Sequence, residues 1–98
     1  MNKSASFIAA CAAAVLMAGA ADAACFADYK AKQDNPLRLH YGVIQLDEAA
    51  CNNTRAAAGE VKRRIARGGW TLLNVMSIFD EGGLDERKGS AGEYFLRF

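Results

Sequence analysis

The sequence has few of the residues from which catalytic and metal sites are usually built. It contains one histidine, three cysteines, one proline and one tryptophan in 98 residues. It has no Cys-x-x-Cys or His-x-x-x-His spacing, which excludes the common zinc patterns. It also has no glycine-rich phosphate loop and no Gly-x-Ser-x-Gly element. We therefore expect that the protein is not an enzyme, and that it has no catalytic residue, metal ligand or cofactor.

A large charge of one sign is also lacking, because the formal net charge is only +1. Long-range attraction to nucleic acid needs a strong positive excess, so we expect no nucleic-acid partner. The acidic residues around Gly82-Gly83 lack the ligand order of an EF-hand and indicate a solvated turn. One predicted helix carries a basic face, which we interpret as solvated or in weak contact with anionic lipid: Arg55, Lys62, Arg63, Arg64 and Arg67.

Residues 1–23 have the three parts of a secretory signal peptide. A short positive start precedes an apolar run from Phe7 to Ala21, and Ala21-Asp22-Ala23 is a small-x-small cleavage site. The predicted cut lies between Ala23 and Ala24. Lipidation at Cys11 or Cys25 is the less favoured alternative. The run is too short to cross a hydrocarbon core of ~30 Å, so we expect no integral membrane span in the mature chain. The predicted location is the periplasm or the medium.

Removing residues 1–23 from 98 leaves 75 residues, which we expect to form a single small domain, residues 24–98. A chain of that size buries only ~60% of its unfolded surface, so its stability is marginal without a crosslink. Cys11 leaves with the signal peptide, and the remaining even pair, Cys25 and Cys51, predicts a disulfide in an exported protein. Closing that loop contributes about 3 kcal/mol in the chain-entropy model.

The first half of the mature chain predicts two strands joined by a turn at Asp34-Asn35-Pro36. A short helix over Cys25 to Asn35 is the less favoured alternative. In the second strand, one face carries Leu37, Leu39, Tyr41 and Val43. Arg38 and His40 alternate with them on the other face, so we interpret His40 as an ordinary histidine on the sheet surface. A catalytic or ligand role for this side chain is the less favoured alternative.

A helix is predicted next. Asn52, Asn53 and Thr54 are all competent N-caps. A narrow apolar stripe follows at helical spacing, formed by Ala57, Val61 and Ile65. Gly68 is the expected left-handed residue after the helix.

The run Gly68–Phe79 holds the only tryptophan and a dense set of large apolar residues. Both alternating faces of residues 70–79 are largely apolar, which predicts a central strand covered on both sides. A polar loop over residues 80–92 and a final strand over residues 93–98 complete the chain.

These elements predict an α+β protein, a two-layer sandwich with one helix on a small mixed sheet of three or four strands. The expected order is β-β-α-β-β or β-α-β-β. The helix-linked strands are expected to be parallel, with a right-handed crossover. The last two strands are expected to pair antiparallel.

The order of elements resembles a group of small bacterial domains of unknown function. The matching parts are the strand Leu39–Leu46, the helix end Ala66-Arg67-Gly68-Gly69-Trp70, the strand Leu72–Ile78 and the segment Tyr94-Phe95-Leu96-Arg97. The chain is also similar to small exported proteins of Gram-negative bacteria. The resemblance covers about the last 60 residues of the sequence. It implies a βαββ fold and no established activity.

One helix covers only one face of a sheet, so the other face needs a cover. We expect its apolar residues to form a candidate interface: Ile44, Leu73, Val75, Phe79 and Phe95. An open apolar patch is typical of an interface, and the occupant would be a protein partner or a second copy of the chain. Alternatively, the N-terminal segment with Phe26 and Tyr29 folds over this face. The predicted function is a non-enzymatic interaction module, with a small-ligand or lipid-binding module as the alternative.

Overall fold

The structure is a computed structural model that describes residues 24–98. The predicted signal peptide, the cleavage-site residue Ala23 and the alternative lipidation site Cys11 lie outside the described residues. The main elements are β1 (Cys25–Gln33), β2 (Arg38–Leu46), α1 (Thr54–Ala66), β3 (Thr71–Phe79) and α2 (Asp85–Ala91). Single 3-10 turns lie at Glu48–Ala50, Glu81–Gly83 and Gly92–Tyr94.

The three strands form one sheet in the order β2-β1-β3, and both pairings are antiparallel. The predicted α+β class is confirmed, and so is the prediction of two strands joined by a turn before the helix. The prediction that residues 70–79 form the central strand is wrong, because β1 occupies that position. Within β1, residues 25–29 are all buried, so this strand is the one that is covered on both faces.

Strand β3 is an edge strand and begins one residue after Trp70, which is itself buried. Its register against β1 shifts twice. Val75 and Ser77 pair with consecutive residues of β1, as do Leu72 and Asn74, so Met76 and Leu73 are the extra residues of two β-bulges. Each bulge interrupts the alternation of the two faces. The apolar content of this run therefore reflects these extra residues rather than a strand covered on both sides.

The connections also differ from those predicted. Strands β2 and β3 are linked through α1 and run parallel, as predicted, because both are antiparallel to β1. However, β1 lies between them, so they do not pair and the sheet is antiparallel rather than mixed. The predicted loop over residues 80–92 contains α2, and the predicted final strand is absent from the described residues. In its place, a 3-10 turn at Gly92–Tyr94 leads into an isolated parallel bridge between Val43 and Phe95. The Leu96 amide donates to the Val43 carbonyl at 2.8 Å.

Helix α1 begins and packs as its sequence predicts. The Asn53 side chain accepts a hydrogen bond from the Ala56 amide at 3.1 Å and caps the first turn. The predicted stripe of Ala57, Val61 and Ile65 is fully buried. The predicted cap at Gly68 is wrong by one residue, because the left-handed position, with φ of 82°, is Gly69.

Two apolar clusters lie on opposite faces of β1. The larger one packs α1 against the sheet through Ala27, Tyr29 and Ile44. The smaller one joins Phe26, Val43 and Ala91. The predicted disulfide is present: Cys25 and Cys51 are bonded, with their Cα atoms 5.7 Å apart. It ties the start of β1 to the segment just before α1.

The Tyr29 ring lies directly over Gly42, its cross-strand partner in β2. A Cβ atom built on Gly42 would lie 2.5 Å from the Tyr29 hydroxyl oxygen and 2.6 Å from Cζ. The fully buried Tyr29 ring has no room to move away. The close approach of the ring therefore requires glycine at position 42.

We expect Gly42→Ala to lower the free energy of unfolding by about 2 kcal/mol, because it overpacks the core at this contact. Urea denaturation of both proteins measures the difference. Gly89→Ala, in α2, is the matched control, because a Cβ there meets nothing within 4 Å. That control is expected to be neutral or slightly stabilising. If Gly42→Ala and Gly89→Ala changed the free energy of unfolding equally, the close approach of the Tyr29 ring to position 42 would be contradicted.

Candidate interaction surface

The two faces of the sheet are covered to different extents. Helix α1 covers one face through the larger apolar cluster. On the opposite face, α2 and the segment after it cover only the part near Phe26, Val43 and Phe79. The prediction left open whether the N-terminal segment or a partner covers this face. The structure gives a different answer, because the C-terminal segment covers part of it and the N-terminal residues form β1 itself.

A buried carboxylate joins α2 to all three strands. Asp28, in β1, accepts hydrogen bonds from the Tyr41 hydroxyl of β2 at 2.8 Å and the Ser77 hydroxyl of β3 at 2.6 Å. It also accepts one from Arg87 Nε of α2 at 3.1 Å. The Arg87 guanidinium lies 3.9 Å from the centre of the Phe79 ring. This contact continues the network into the smaller apolar cluster.

The pKa values of the network follow from burial and hydrogen bonding. Burial acts to raise the pKa of Asp28, but the hydrogen bonds from Ser77, Tyr41 and Arg87 outweigh it, and the pKa is lowered. Burial and the hydrogen bond to Asp28 raise the pKa of Tyr41 to about 12. Asp28 is therefore ionised and Tyr41 neutral at neutral pH. The network is a fully bonded anion rather than a proton-transfer pair.

We expect Arg87→Met to destabilise the fold by about 2 kcal/mol, because a buried charge loses its cationic partner. Relative to the unsubstituted protein, Arg87→Met should increase the rate of amide hydrogen exchange more in α2 than in α1. Lys88→Met is the control, since it removes the same charge from an exposed neighbour on the same helix. If the amides of α2 are equally protected from exchange in Arg87→Met and in Lys88→Met, the ion pair does not hold the helix to the sheet.

His40 lies inside an aromatic cluster, so the prediction of an ordinary surface histidine is wrong. The residue is only 8% exposed, and its ring stacks on Tyr94 with centroids 3.7 Å apart. Trp70 meets it edge-on at 4.2 Å. A hydrogen bond of 3.0 Å joins His40 Nε2 to the Tyr29 hydroxyl. Nδ1 is buried and has no hydrogen-bond partner among residues 24–98.

Burial lowers the pKa of His40 to about 4, and the charge of Arg97 adds to the shift. In an unfolded chain the histidine pKa is about 6.5, so the unfolded state binds this proton at higher pH than the folded state. The contribution of neutral His40 to stability is thus complete above about pH 6.5. It is lost progressively as the pH falls towards 4.

We expect the free energy of unfolding to fall by about 2 kcal/mol between pH 7 and pH 5 through this group alone. His40 is the only histidine in the sequence, so few other side chains titrate in that window. Urea denaturation at the two pH values measures the fall. His40→Phe keeps an aromatic ring without the titration and should show a nearly flat profile. An equally steep profile in this variant would assign the effect to another group.

The uncovered part of the second face forms a shallow cavity of about 260 Å³. We name it the open groove and define it by Lys30, Leu39, Tyr41 and Leu73. Lys30 lies on the central strand, opposite Tyr41 on one side and Asn74 on the other. Leu39 is 65% exposed and Leu73 is 50% exposed. The groove therefore offers two accessible apolar side chains around one lysine, and its lining includes no acidic residue.

The predicted interface residues do not stay together in the structure. Ile44 is fully buried in the larger cluster and cannot belong to an open surface. Val75 is partly buried against the same cluster, and Phe79 and Phe95 pack in the smaller one. Of the five, only Leu73 lines the open groove.

The sequence does not reveal the roles of Asp28 in the network or of Lys30 and Leu39 in the open groove. Leu39 lies on the same face of β2 as Tyr41 and Val43 and alternates with His40, as predicted. Leu39 is exposed and His40 is buried, so the more apolar of the two faces of β2 is the less covered one at this end of the strand. Nothing in the local sequence pairs Asp28 with Arg87, because 59 positions separate them.

Comparison of the chain with protein-family models, with curated proteins and with solved structures gives no match. The resemblance to small bacterial domains therefore stays a prediction. Among residues 24–98, no group of three or more His, Cys, Asp or Glu residues is placed to hold a metal ion. No helix in the same range has the length and hydropathy needed to span a membrane.

Proposed function

We propose that this protein is a non-enzymatic interaction module that works in the periplasm or outside the cell and binds a protein partner through the open groove. The observation that carries the proposal is the exposure of Leu39 and Leu73 on a face that the domain covers only in part. Exposed apolar side chains that line one concave surface are typical of docking sites.

Two features support the location. Residues 1–23 have the pattern of a secretory signal peptide, and the Cys25–Cys51 disulfide is of the kind that persists in oxidising compartments. Stability comes partly from that bond and partly from the clusters on the two faces of β1. Tyr41 lines the open groove but packs against the smaller cluster, whereas Leu39 and Leu73 are exposed and belong to neither cluster. These two leucines are thus available for binding without loss of the fold.

A small-ligand or lipid-binding module is the second candidate, because the groove lining is mainly apolar. Small-molecule sites are usually enclosed clefts of about 300–1,000 Å³ that bury most of the ligand. The groove, at about 260 Å³, is smaller than this range and open. A protein surface that contributes its own side chains fits it better.

The proposal predicts position-specific crosslinks in the exporting cell. A photo-crosslinking phenylalanine derivative at Leu39 or at Leu73 should give the same protein adduct, because both positions line one groove. The same group at Lys62, an exposed position of α1 beyond the other face, should not give it. The adduct is detected by its shift in mass on electrophoresis.

A substitution within the groove provides the second half of this test. Leu39→Asp should abolish the crosslink from Leu73 and change the free energy of unfolding by no more than about 0.5 kcal/mol, because Leu39 is exposed. The proposal fails if no adduct forms, if Lys62 gives the same adduct, or if the adduct has the mass of two copies of this chain.

A further inference from the structure

The charge of the open groove indicates the chemistry of its partner, and this inference rests on the function proposed above. Lys30 is exposed on the central strand, between Leu39 on β2 and Leu73 on β3. Lys32 follows on the same face, 3.4 Å from the exposed carboxylate of Asp34. The nearest buried acid, Asp28, is already bonded to Arg87. Within residues 24–98, Lys30 is therefore an exposed cation without an ion-pair partner, and it is free to pair with an acidic group of a bound protein.

A second copy of the chain is disfavoured as the occupant. In a two-fold contact the same surface meets itself, so two open grooves would bring together the Lys30 and Lys32 side chains of both copies. Like charges that meet in a partly desolvated contact oppose association. Complementarity instead requires a surface with acidic and apolar residues side by side.

An anionic membrane is also disfavoured, because the cations lie on both sides of the molecule. Helix α1 packs on one face of the sheet, and its exposed cations Arg55, Lys62 and Arg63 point away from that face. The open groove lies on the opposite face. A flat membrane cannot contact both at once, and the two lysines near the groove are fewer than the four to eight found in typical basic lipid-binding clusters.

The width of the groove favours a helix. Leu39 and Leu73 lie on the two strands that flank β1, so roughly two strand spacings, about 10 Å, separate the backbones that carry them. An α-helix with its side chains is about 10–12 Å across, so one helix lying over β1 would reach both leucines from above the sheet. The neighbouring part of the same face is already covered by a helix, α2. A partner helix would extend that layer.

We infer that the open groove binds an acidic amphipathic helix of another protein. The apolar stripe of the helix packs between Leu39 and Leu73, and a Glu or Asp beside the stripe pairs with Lys30. This arrangement combines a helix in a groove with one ion pair that sets its orientation. Affinity comes mainly from the leucines, and charge selectivity comes mainly from Lys30, because Lys32 already pairs with Asp34.

Two designed peptides of about 15 residues test the inference, each with leucines at helical spacing along one face. One peptide carries glutamate beside the leucines, and the other carries lysine at the same positions. Each is titrated into the disulfide-bonded protein while amide chemical shifts are recorded. The glutamate peptide is expected to shift the amides of Lys30, Leu39 and Leu73. Its binding should be about tenfold tighter than that of the lysine peptide.

Charge-reversal variants make the test specific. Lys30→Glu should weaken the binding of the glutamate peptide about tenfold. The double variant Lys30→Glu/Lys32→Glu should reverse the preference and bind the lysine peptide better. Lys62→Glu makes the same change on the other side of the molecule and should leave both titrations unchanged. All of these side chains are exposed or partly exposed, so the fold is retained.

Four results would overturn the inference. The first two are equal binding of both peptides and chemical-shift changes confined to the amides of α1. The third is that phosphatidylglycerol vesicles change the chemical shifts of the groove amides. The fourth is that these shifts change with protein concentration when no peptide is present. The crosslinks from Leu39 and Leu73 distinguish this failure from failure of the proposed function. If they persist in Lys30→Glu, the groove remains a docking site but its acidic partner is excluded. If they never form, the proposed function itself fails.

Discussion

One buried carboxylate determines how the parts of this domain fit together. Asp28 lies on the central strand and accepts one hydrogen bond each from β2, β3 and α2. A charge in that position is strongly unfavourable unless all its bonds are formed, so the strands and the helix must be in place together. Without any one of these three donors, the buried anion would lack a hydrogen-bond partner. The network therefore favours a single arrangement of α2 on the sheet.

The position of β1 follows from the same requirement. Its residues Ala27, Tyr29 and Ala31 pack beneath α1, while Phe26 and Asp28 face α2. Small alanines let the helix approach the sheet closely, and Tyr29 fits only because Gly42 leaves room beside it. The Tyr29 hydroxyl then reaches His40, which brings the aromatic cluster into the same core. Packing on both sides makes β1 the centre of the sheet, although it is less apolar than β3.

The features that rest on local rules could be predicted from the sequence. The cap at Asn53, the stripe of α1, the turn before β2 and the cysteine pair all follow from neighbouring residues or from chain chemistry. Strand order could not be predicted, because it depends on the pairing of β1 with β3, which joins residues as far apart in the sequence as Phe26 and Phe79. The open groove could not be predicted either, since it is defined by where α2 stops covering the sheet. Apolar content alone misplaced β3, because the two bulges alter which side chains are covered.

Those bulges also affect how the protein behaves at high concentration. An edge strand with a regular ladder offers its unpaired amides and carbonyls to any other strand, and this is a common route to fibres. In β3 the extra residues Leu73 and Met76 interrupt the spacing of these groups twice within nine residues. A strand from another molecule cannot maintain its hydrogen-bond register with β3 for more than a few residues. The domain can thus expose leucine and methionine beside that edge and still resist polymerising through it.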